Sequence, residues 1–386
     1  MLESLRFPVA ASRGRRYPEL PHPYRNDFQR DRDRILHARA FRRLENKTQV
    51  FTAPLSDHFR NRLTHTLEVS QVARTVAAVL QLDEDLTEAL ALVHDFGHPP
   101  FAHAGEEELH RQMTRFGERF DHNLHALRLV ESFEQRYARF PGLNLTFEVR
   151  EGMVKHSRDF APGEFPELDE YLPGLRPPLE AQLIDLADEI AYNTADLDDG
   201  FSAGLFGVED IGAAVPAYAA LAETVEMQFP GATERERFFE ALRLLLDGLV
   251  TGLIRGTAET ARGAGVESVD DVRSHPVRVA KLTAEAAATS AALKTFLHAR
   301  VYHSPALCDE RSHSVGMIAR LFEYLLEHPR ALPEAYREQQ AGQPPHRIVC
   351  DYMAGMTDGF FLRTYQRLLS YFPSQFEKVG DRQASP

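Results

Sequence analysis

The chain reads as an all-α protein, a helical core followed by an additional helical C-terminal region. Three observations predict this. Apolar residues recur at spacings of three to five through most of the 386 residues, as helices with one buried face require. The apolar–polar alternation of a half-buried strand is nearly absent. Gly, Pro and acidic residues gather between the periodic segments, where they mark connectors.

Taken in order, residues 1–47 hold 12 Lys and Arg against 6 Asp and Glu. The RDRDR run there reads either as a solvated, salt-bridged helix face or as an arm that faces phosphate. Residues 60–80 place Leu63, Leu67, Val72, Val76 and Val79 on an amphipathic helix. Similar patterns predict helices near 84–95, 104–116, 121–138, 179–195, 232–260, 275–297, 311–326 and 357–371. The Pro- and acid-rich stretch 159–178 reads as a long loop or lid, and ADLDDGFSAGLFG at 195–207 as a Gly-punctuated turn. Residues 261–271 and 328–346 are expected connectors.

Composition narrows the function classes. With 43% hydrophobic residues, no apolar run approaches the length that spans a bilayer, so no membrane partner is expected. The first twenty residues lack the long apolar stretch of a secretory signal. Two cysteines, Cys308 and Cys350, cannot build a disulfide framework or a Cys-rich zinc site, and a reduced, cytoplasmic setting is expected. A net charge of −13 leaves nucleic acid at most a secondary partner.

The chemistry concentrates in ALALVHDFGHPPFAHAGEEEL, residues 89–109. Six of the 17 histidines (94, 98, 103, 110, 122 and 125) lie between positions 94 and 125. His94 and Asp95 close an apolar run, where an unpaired carboxylate is costly and a metal ion is the usual remedy. Pro99 and Pro100 break the helix, so that His98 and His103 can face one cleft. Upstream, Arg62 and His65 are three apart and share a helical face. Downstream, Asp188, Tyr192 and Asp196 recur every four residues, with Asp185 as a competing ligand. A mixed nitrogen and oxygen set suits Mg, Mn, Fe, Co, Ni or Zn.

His65, the His94-Asp95 pair and Asp188 together resemble the HD superfamily of metal-dependent phosphohydrolases. More narrowly, DRDRILHARAFRRLENKTQVF, RNRLTHTLEVSQVAR, HDFGHPPFAHAGEE, FDHNLHALRLVE and DLADEIAYNTADLDDG resemble the dGTPase-like deoxynucleoside triphosphate triphosphohydrolases. The likeness covers most of residues 30–205 and returns near 298–303 and 351–362. It implies hydrolysis of a dNTP at the α-phosphate to deoxynucleoside and tripolyphosphate, trimming dNTP pools. His65, His94, Asp95 and Asp188 are the implied ligands of a divalent metal ion. His103 and Glu106 match the catalytic pair, and His98 and His122 match histidines near the phosphates. Arg62 would neutralise phosphate charge. Gln49 and Asp196 match contacts to the 3′-hydroxyl, and Tyr192 and Tyr302 match rings that pack on the deoxyribose. Where some relatives place a phosphate-holding lysine this chain has Glu189, so Lys155, Arg158 or the basic N-terminal segment is expected to supply those contacts. The resemblance also implies a homo-oligomer, a hexamer, and a dNTP activator at a second site. The expected division is 1–45 packing on the core, 46–210 as metal and catalytic core, and 211–386 completing the pocket and oligomer contacts. A 5′-nucleotidase, an alarmone hydrolase and a nucleotide sensor without turnover are the competing functions.

Overall fold

The computed structural model describes residues 1–50, 59–339 and 341–369. Among these residues regular structure is helical, and extended pairing is confined to isolated bridges such as Thr48 with Asn61. The first half runs through α1 (Asp27–Leu36), α2 (Arg39–Arg43), α3 (Arg62–Leu80), α4 (Glu84–Val93), α5 (Ala102–Thr114), α6 (His122–Arg128), α7 (Phe147–Val154) and α8 (Leu179–Ser202). The second half adds α9 (Val208–Ala214), α10 (Pro216–Gln228), α11 (Glu234–Ala264), α12 (Val269–Ser274) and α13 (Ala284–Leu297). It closes with α14 (Pro305–Glu327), α15 (Glu334–Gln339), α16 (Pro345–Ala354) and α17 (Asp358–Leu369). The last two positions of the helix expected at 357–371 lie outside the described residues.

Local chemistry sets the boundaries that matter to the site. Asn61 caps α3 by accepting from the Thr64 N–H at 3.0 Å, and Gln81, with φ 65°, ends the helix in the left-handed region. Asp83 caps α4 through the Leu86 N–H at 2.9 Å. Asp121 caps α6 by accepting from the N–H groups of Asn123 and Leu124. Along α3 the buried face is Val69, Val72, Val76 and Leu80, packed on α4 and α8, whereas Leu67 and Val79 of the expected stripe are exposed.

Three expectations are corrected. Helix α8 runs straight through 195–202, because Gly200 serves close packing and not a turn: a Cβ there would lie 2.6 Å from Phe206 Cε1. The helix expected from 275 begins at Ala284. The preceding chain bonds to α11 instead, with the Lys281 N–H donating to Thr257 Oγ1 and the Thr283 N–H to the Gly252 carbonyl, both at 3.1 Å. The helix expected over 121–138 stops early in a wider π turn, Leu129–Phe133, after which Glu134 turns back to accept from the N–H groups of Arg39 and Ala40.

Three apolar clusters hold the fold. The main one joins Leu5 and Phe28 to α3, α4 and α8, and continues into α11 and α13 through Leu249, Leu253 and Leu293. A second joins Leu109 and Met113 of α5 to Ile318 and Phe322 of α14, Met353 of α16 and Phe361 of α17. The third packs Phe160, Leu168 and Tyr171 of the 159–178 stretch against Phe147 and Val154 of α7. That stretch is therefore a packed loop, and none of its residues lines the main cavity.

Candidate active site

One cavity of about 600 Å³ is lined from residues 48–50, α3, the α4–α5 turn, the starts of α5 and α6, the residues after α7, α8 and the α13–α14 junction. The cap at Asn61 starts α3 so that Arg62 and His65, one turn apart, are both buried. His94 follows the last turn of α4, with Nδ1 2.6 Å from the Ala91 carbonyl oxygen. A ring nitrogen facing a carbonyl carries the proton, so the His94 Nε2 presents a lone pair. That atom is buried and has no hydrogen-bond partner among the described residues. Asp188 Oδ1 lies 2.8 Å from His65 Nε2 and 3.9 Å from His94 Nε2. The donor atoms of His65, His94 and Asp188 lie within 4.8 Å of one another. Two imidazoles and a carboxylate, one of them with an unpartnered buried lone pair, fit a divalent cation.

Asp95 stands beside this group and faces two other partners. Its Oδ2 accepts from Arg62 Nη1 at 2.8 Å, and its Oδ1 is 3.0 Å from His98 Nε2 and 3.6 Å from His94 Nε2. Burial works against ionisation of Asp95, yet Arg62 and the neighbouring histidines hold its carboxyl well below the usual range. Asp188 is held low against burial by His156 and His65. His156 was not anticipated. Its Nε2 lies 3.8 Å from Asp188 Oδ2, its ring meets His94 edge-on at 5.3 Å, and it lines the cavity. The only sequence signal for it is a Lys-His-Ser step directly after α7. Asp185 also lines the cavity but lies outside the converging group, 3.9 Å from Arg278.

A second imidazole–carboxylate chain lies next to the first. Gly97 permits it, because a Cβ there would lie 1.8 Å from the His122 carbonyl oxygen. With α6 so close, the His98 and His122 rings stack at 4.0 Å. Glu106 Oε1 lies 2.7 Å from His122 Nδ1 and accepts from the His122 backbone N–H at 3.1 Å. The expected partner of Glu106, His103, is more distant: its Nδ1 lies 3.9 Å from Oε2, and its side chain is 74% exposed at the cavity's edge. Burial raises the Glu106 carboxyl, but His103 and His122 outweigh it and hold it well below its ordinary value. Burial likewise opposes the charged form of His122, and Glu106 overrides this to raise it. Of this pair, His122 lines the cavity.

The far wall carries the residues matched to sugar. Tyr192 and Asp196 follow Asp188 on α8 by one and two turns. Tyr302 ends a π turn, His298–Tyr302, and its hydroxyl donates to Asp196 Oδ2. Burial pushes the Asp196 carboxyl up to about 7 even with this bond. Gln49 lines the same cavity, with a buried Oε1 that has no partner among the described residues.

The cations expected to hold phosphate are placed elsewhere. Lys155 Nζ is consumed by Glu151 and by the Leu172 and Leu175 carbonyls, each at 2.9 Å. Arg158 packs over Phe160 and does not line the cavity. Most of the N-terminal arginines pair with carboxylates, among them Arg6 with Asp83 and Arg16 with Glu131 at 2.9 Å each, and none lines the cavity. Among the described residues, Arg62, Lys294 and Arg311 are the Lys and Arg side chains that line the cavity. Lys294 Nζ sits 2.8 Å from Glu189 Oε2, and its spacing of four before His298 and eight before Tyr302 is the signal that could have found it.

Residues 62–193 match the HD domain, and residues 280–367 match the phosphohydrolase-associated domain. A protein of Ralstonia nicotianae is 43% identical over 363 residues, covering 94% of this chain and 93% of its own length. One of Geobacter sulfurreducens is 42% identical, covering 92% of each chain. One of an Azoarcus species is 43% identical, covering 96% of this chain and 97% of its own. All three are named deoxyguanosinetriphosphate triphosphohydrolase-like proteins. With an HD domain over its converging histidines and aspartates, and relatives of this identity along nearly its whole length, the chain belongs to the deoxyguanosinetriphosphate triphosphohydrolase-like family of hydrolases.

Proposed function

We propose that this protein hydrolyses deoxynucleoside triphosphates at the α-phosphorus, releasing deoxynucleoside and inorganic tripolyphosphate, and so trims dNTP pools. The observation that carries the proposal is a single cavity. Its wall carries His65 and Asp188, the Arg62–Asp95 pair, His122, and Gln49, Tyr192, Asp196 and Tyr302, with His94 grouped on His65 and Asp188 and with Glu106 paired to His122. In this reading His65, His94 and Asp188, with Asp95 alongside, hold a divalent cation, one of Mg, Mn, Fe, Co or Ni. When bound, such an ion supplies Lewis-acid polarisation of a phosphoryl oxygen.

The chain's own residues do the rest. A water oxygen forms a bond to the α-phosphorus and the bond from phosphorus to the 5′-oxygen breaks. One proton leaves the water and one is gained by the 5′-oxygen. Arg62, with Asp95 fixing its guanidinium, neutralises charge on the α-phosphate. His122, paired with Glu106, and His103 at the edge are the two imidazoles that move these protons. His98, stacked on His122 and bonded to Asp95, contacts phosphate. Gln49 and Asp196 take the 3′-hydroxyl, and Tyr192 and Tyr302 leave no room for a 2′-hydroxyl. Lys294 and Arg311 replace the missing lysine at 189 as triphosphate contacts.

The same family supports a homohexamer with a dNTP activator at a second site. Residues 46–210 would act as catalytic core, and 211–386 would complete the pocket and carry the subunit contacts. The test is separation of products after incubating metal-loaded protein with each dNTP, singly and mixed. Deoxynucleoside with tripolyphosphate, lost in Asp188→Ala, supports the reading, and turnover only in the mixture adds activation. Diphosphate with monophosphate would place the protein among general HD phosphohydrolases, and no turnover with any metal would favour a sensor.

A further inference from the structure

We infer that Asp358 is a positioning residue: it locks the left-handed turn before His103 to the segment carrying Gln49, and the proposed hydrolysis depends on this lock. The inference rests on the reading above for its kinetic part only. Asp358 opens α17 within the phosphohydrolase-associated stretch and does not itself line the cavity. Its Oδ2 accepts from the Thr48 N–H at 2.7 Å and from the Thr48 hydroxyl. Its Oδ1 accepts from the Phe101 N–H at 3.1 Å. Thr48 precedes Gln49, and Phe101 lies two residues before His103, so one carboxylate ties two walls of the cavity together.

The turn needs such a tie. Phe101 and Ala102 have φ of 63° and 53°, two consecutive side-chain-bearing residues in the left-handed region. Pro99 and Pro100 offer no N–H, so the Phe101 amide is the first donor after them. Helix α5, which carries Glu106, starts there without a side-chain cap. Contacts nearby reinforce the junction. Arg43 Nη1 donates to the Gly355 carbonyl at 2.9 Å, buried Lys47 bonds to the His98 and Ala354 carbonyls, and the Phe101 ring meets Phe361 edge-on. His65, His94 and Asp188 have no hydrogen bond to this junction among the described residues. The lock therefore acts first on the proton-handling and sugar walls, while His65, His94 and Asp188 are held by contacts other than those of Asp358.

Asp358→Asn keeps the shape but replaces one acceptor with an NH₂ that must face either the Thr48 donors or the Phe101 N–H. Ala102→Gly removes the conformational penalty of the turn. The experiment compares the full-length protein with D358N, A102G and the double variant by three readouts: hydrogen exchange over residues 96–106, Mn²⁺ affinity by calorimetry, and steady-state kinetics. D358N is expected to speed exchange in that segment and to lower kcat by about a hundredfold, the cost of a misplacement near 1 Å. Its Mn²⁺ affinity should stay unchanged, and A102G should restore both lost properties in part. Unaltered exchange and kcat in D358N, an equal loss of Mn²⁺ affinity, or no rescue by A102G would overturn the inference. If the wild-type protein turns over no dNTP, the hydrolysis reading fails, while exchange and its rescue still decide whether Asp358 is the lock.

Discussion

The tautomer of one ring governs what the centre accepts: with the His94 Nδ1 proton committed to the Ala91 carbonyl, Nε2 is free to act only as a donor of electrons. His156 acts on the same centre through Asp188, whose second oxygen it faces. His156→Ala should weaken Mn²⁺ binding by about 10- to 100-fold, as removal of a ligand's outer partner does, with His156→Gln intermediate; equilibrium dialysis measures this. Tyr192→Ala should relax the preference for deoxyribonucleotides over ribonucleotides in competition kinetics, and unchanged selectivity would refute the steric account. Legibility at this scale follows chemical rarity. His65, His94, Asp95 and Asp188 stand out because ionisable groups interrupt apolar, helix-spaced runs. Lys155 and Arg158 misled because a sequence does not report which cations packing has already consumed, whereas Lys294, more than 100 positions from Glu189, reaches the cavity through tertiary packing. His156 is a lone histidine after a helix, which no spacing rule distinguishes from a surface one.

Helices were legible where a cap and an apolar stripe coincide, as in α3 and α4, and misread where glycine serves packing. Gly200 looked like punctuation, yet it sits mid-helix against Phe206. Gly97 is the sharper case, since the atom a substitution would meet is backbone. Gly97→Ala should push α6 away, separate His122 from Glu106, and destabilise the fold by about 1–3 kcal/mol, as overpacking does; denaturant unfolding and kcat together test it. The N-terminal segment docks through Glu180 on α8, whose Oε1 accepts from the N–H groups of Phe7 at 2.9 Å and Asp83 at 3.1 Å. Burial pushes the Glu180 carboxyl from 4.5 up to about 7, with Asp83 adding to the rise and the two N–H groups opposing it. Between those values the folded chain holds a proton that the unfolded chain has lost. This contribution to stability is therefore complete at low pH and declines as pH rises through about 7. Thermal melts from pH 5 to 8 should show the decline in the native protein and a flatter profile in Glu180→Gln.

Across the whole molecule, the all-α class and the HD-like core were readable from periodicity and motif, but which helices of the C-terminal half would pack on the core was not. Periodicity reports which face of a helix is buried, not against what, so nothing in residues 305–369 announced that α14, α16 and α17 would share a core with α5. That shared core brings Asp358 to bear on the site from so far along the chain, and the main core does the same for Tyr302, so the cavity is built from both matched stretches. The converging ligands come from three segments, so a bound ion ties them together. Saturation with Mn²⁺ at one hundred times its Kd should add about 2.7 kcal/mol of stability. Differential scanning fluorimetry should show the rise, and Asp188→Ala should abolish it. The central claim is the bond that breaks. Turnover of a dNTP in ¹⁸O-labelled water, followed by mass spectrometry of both products, tests it most directly. Attack at the α-phosphorus predicts one ¹⁸O in the tripolyphosphate and none in the deoxynucleoside, whereas label in inorganic monophosphate or diphosphate, or in the deoxynucleoside, would contradict it.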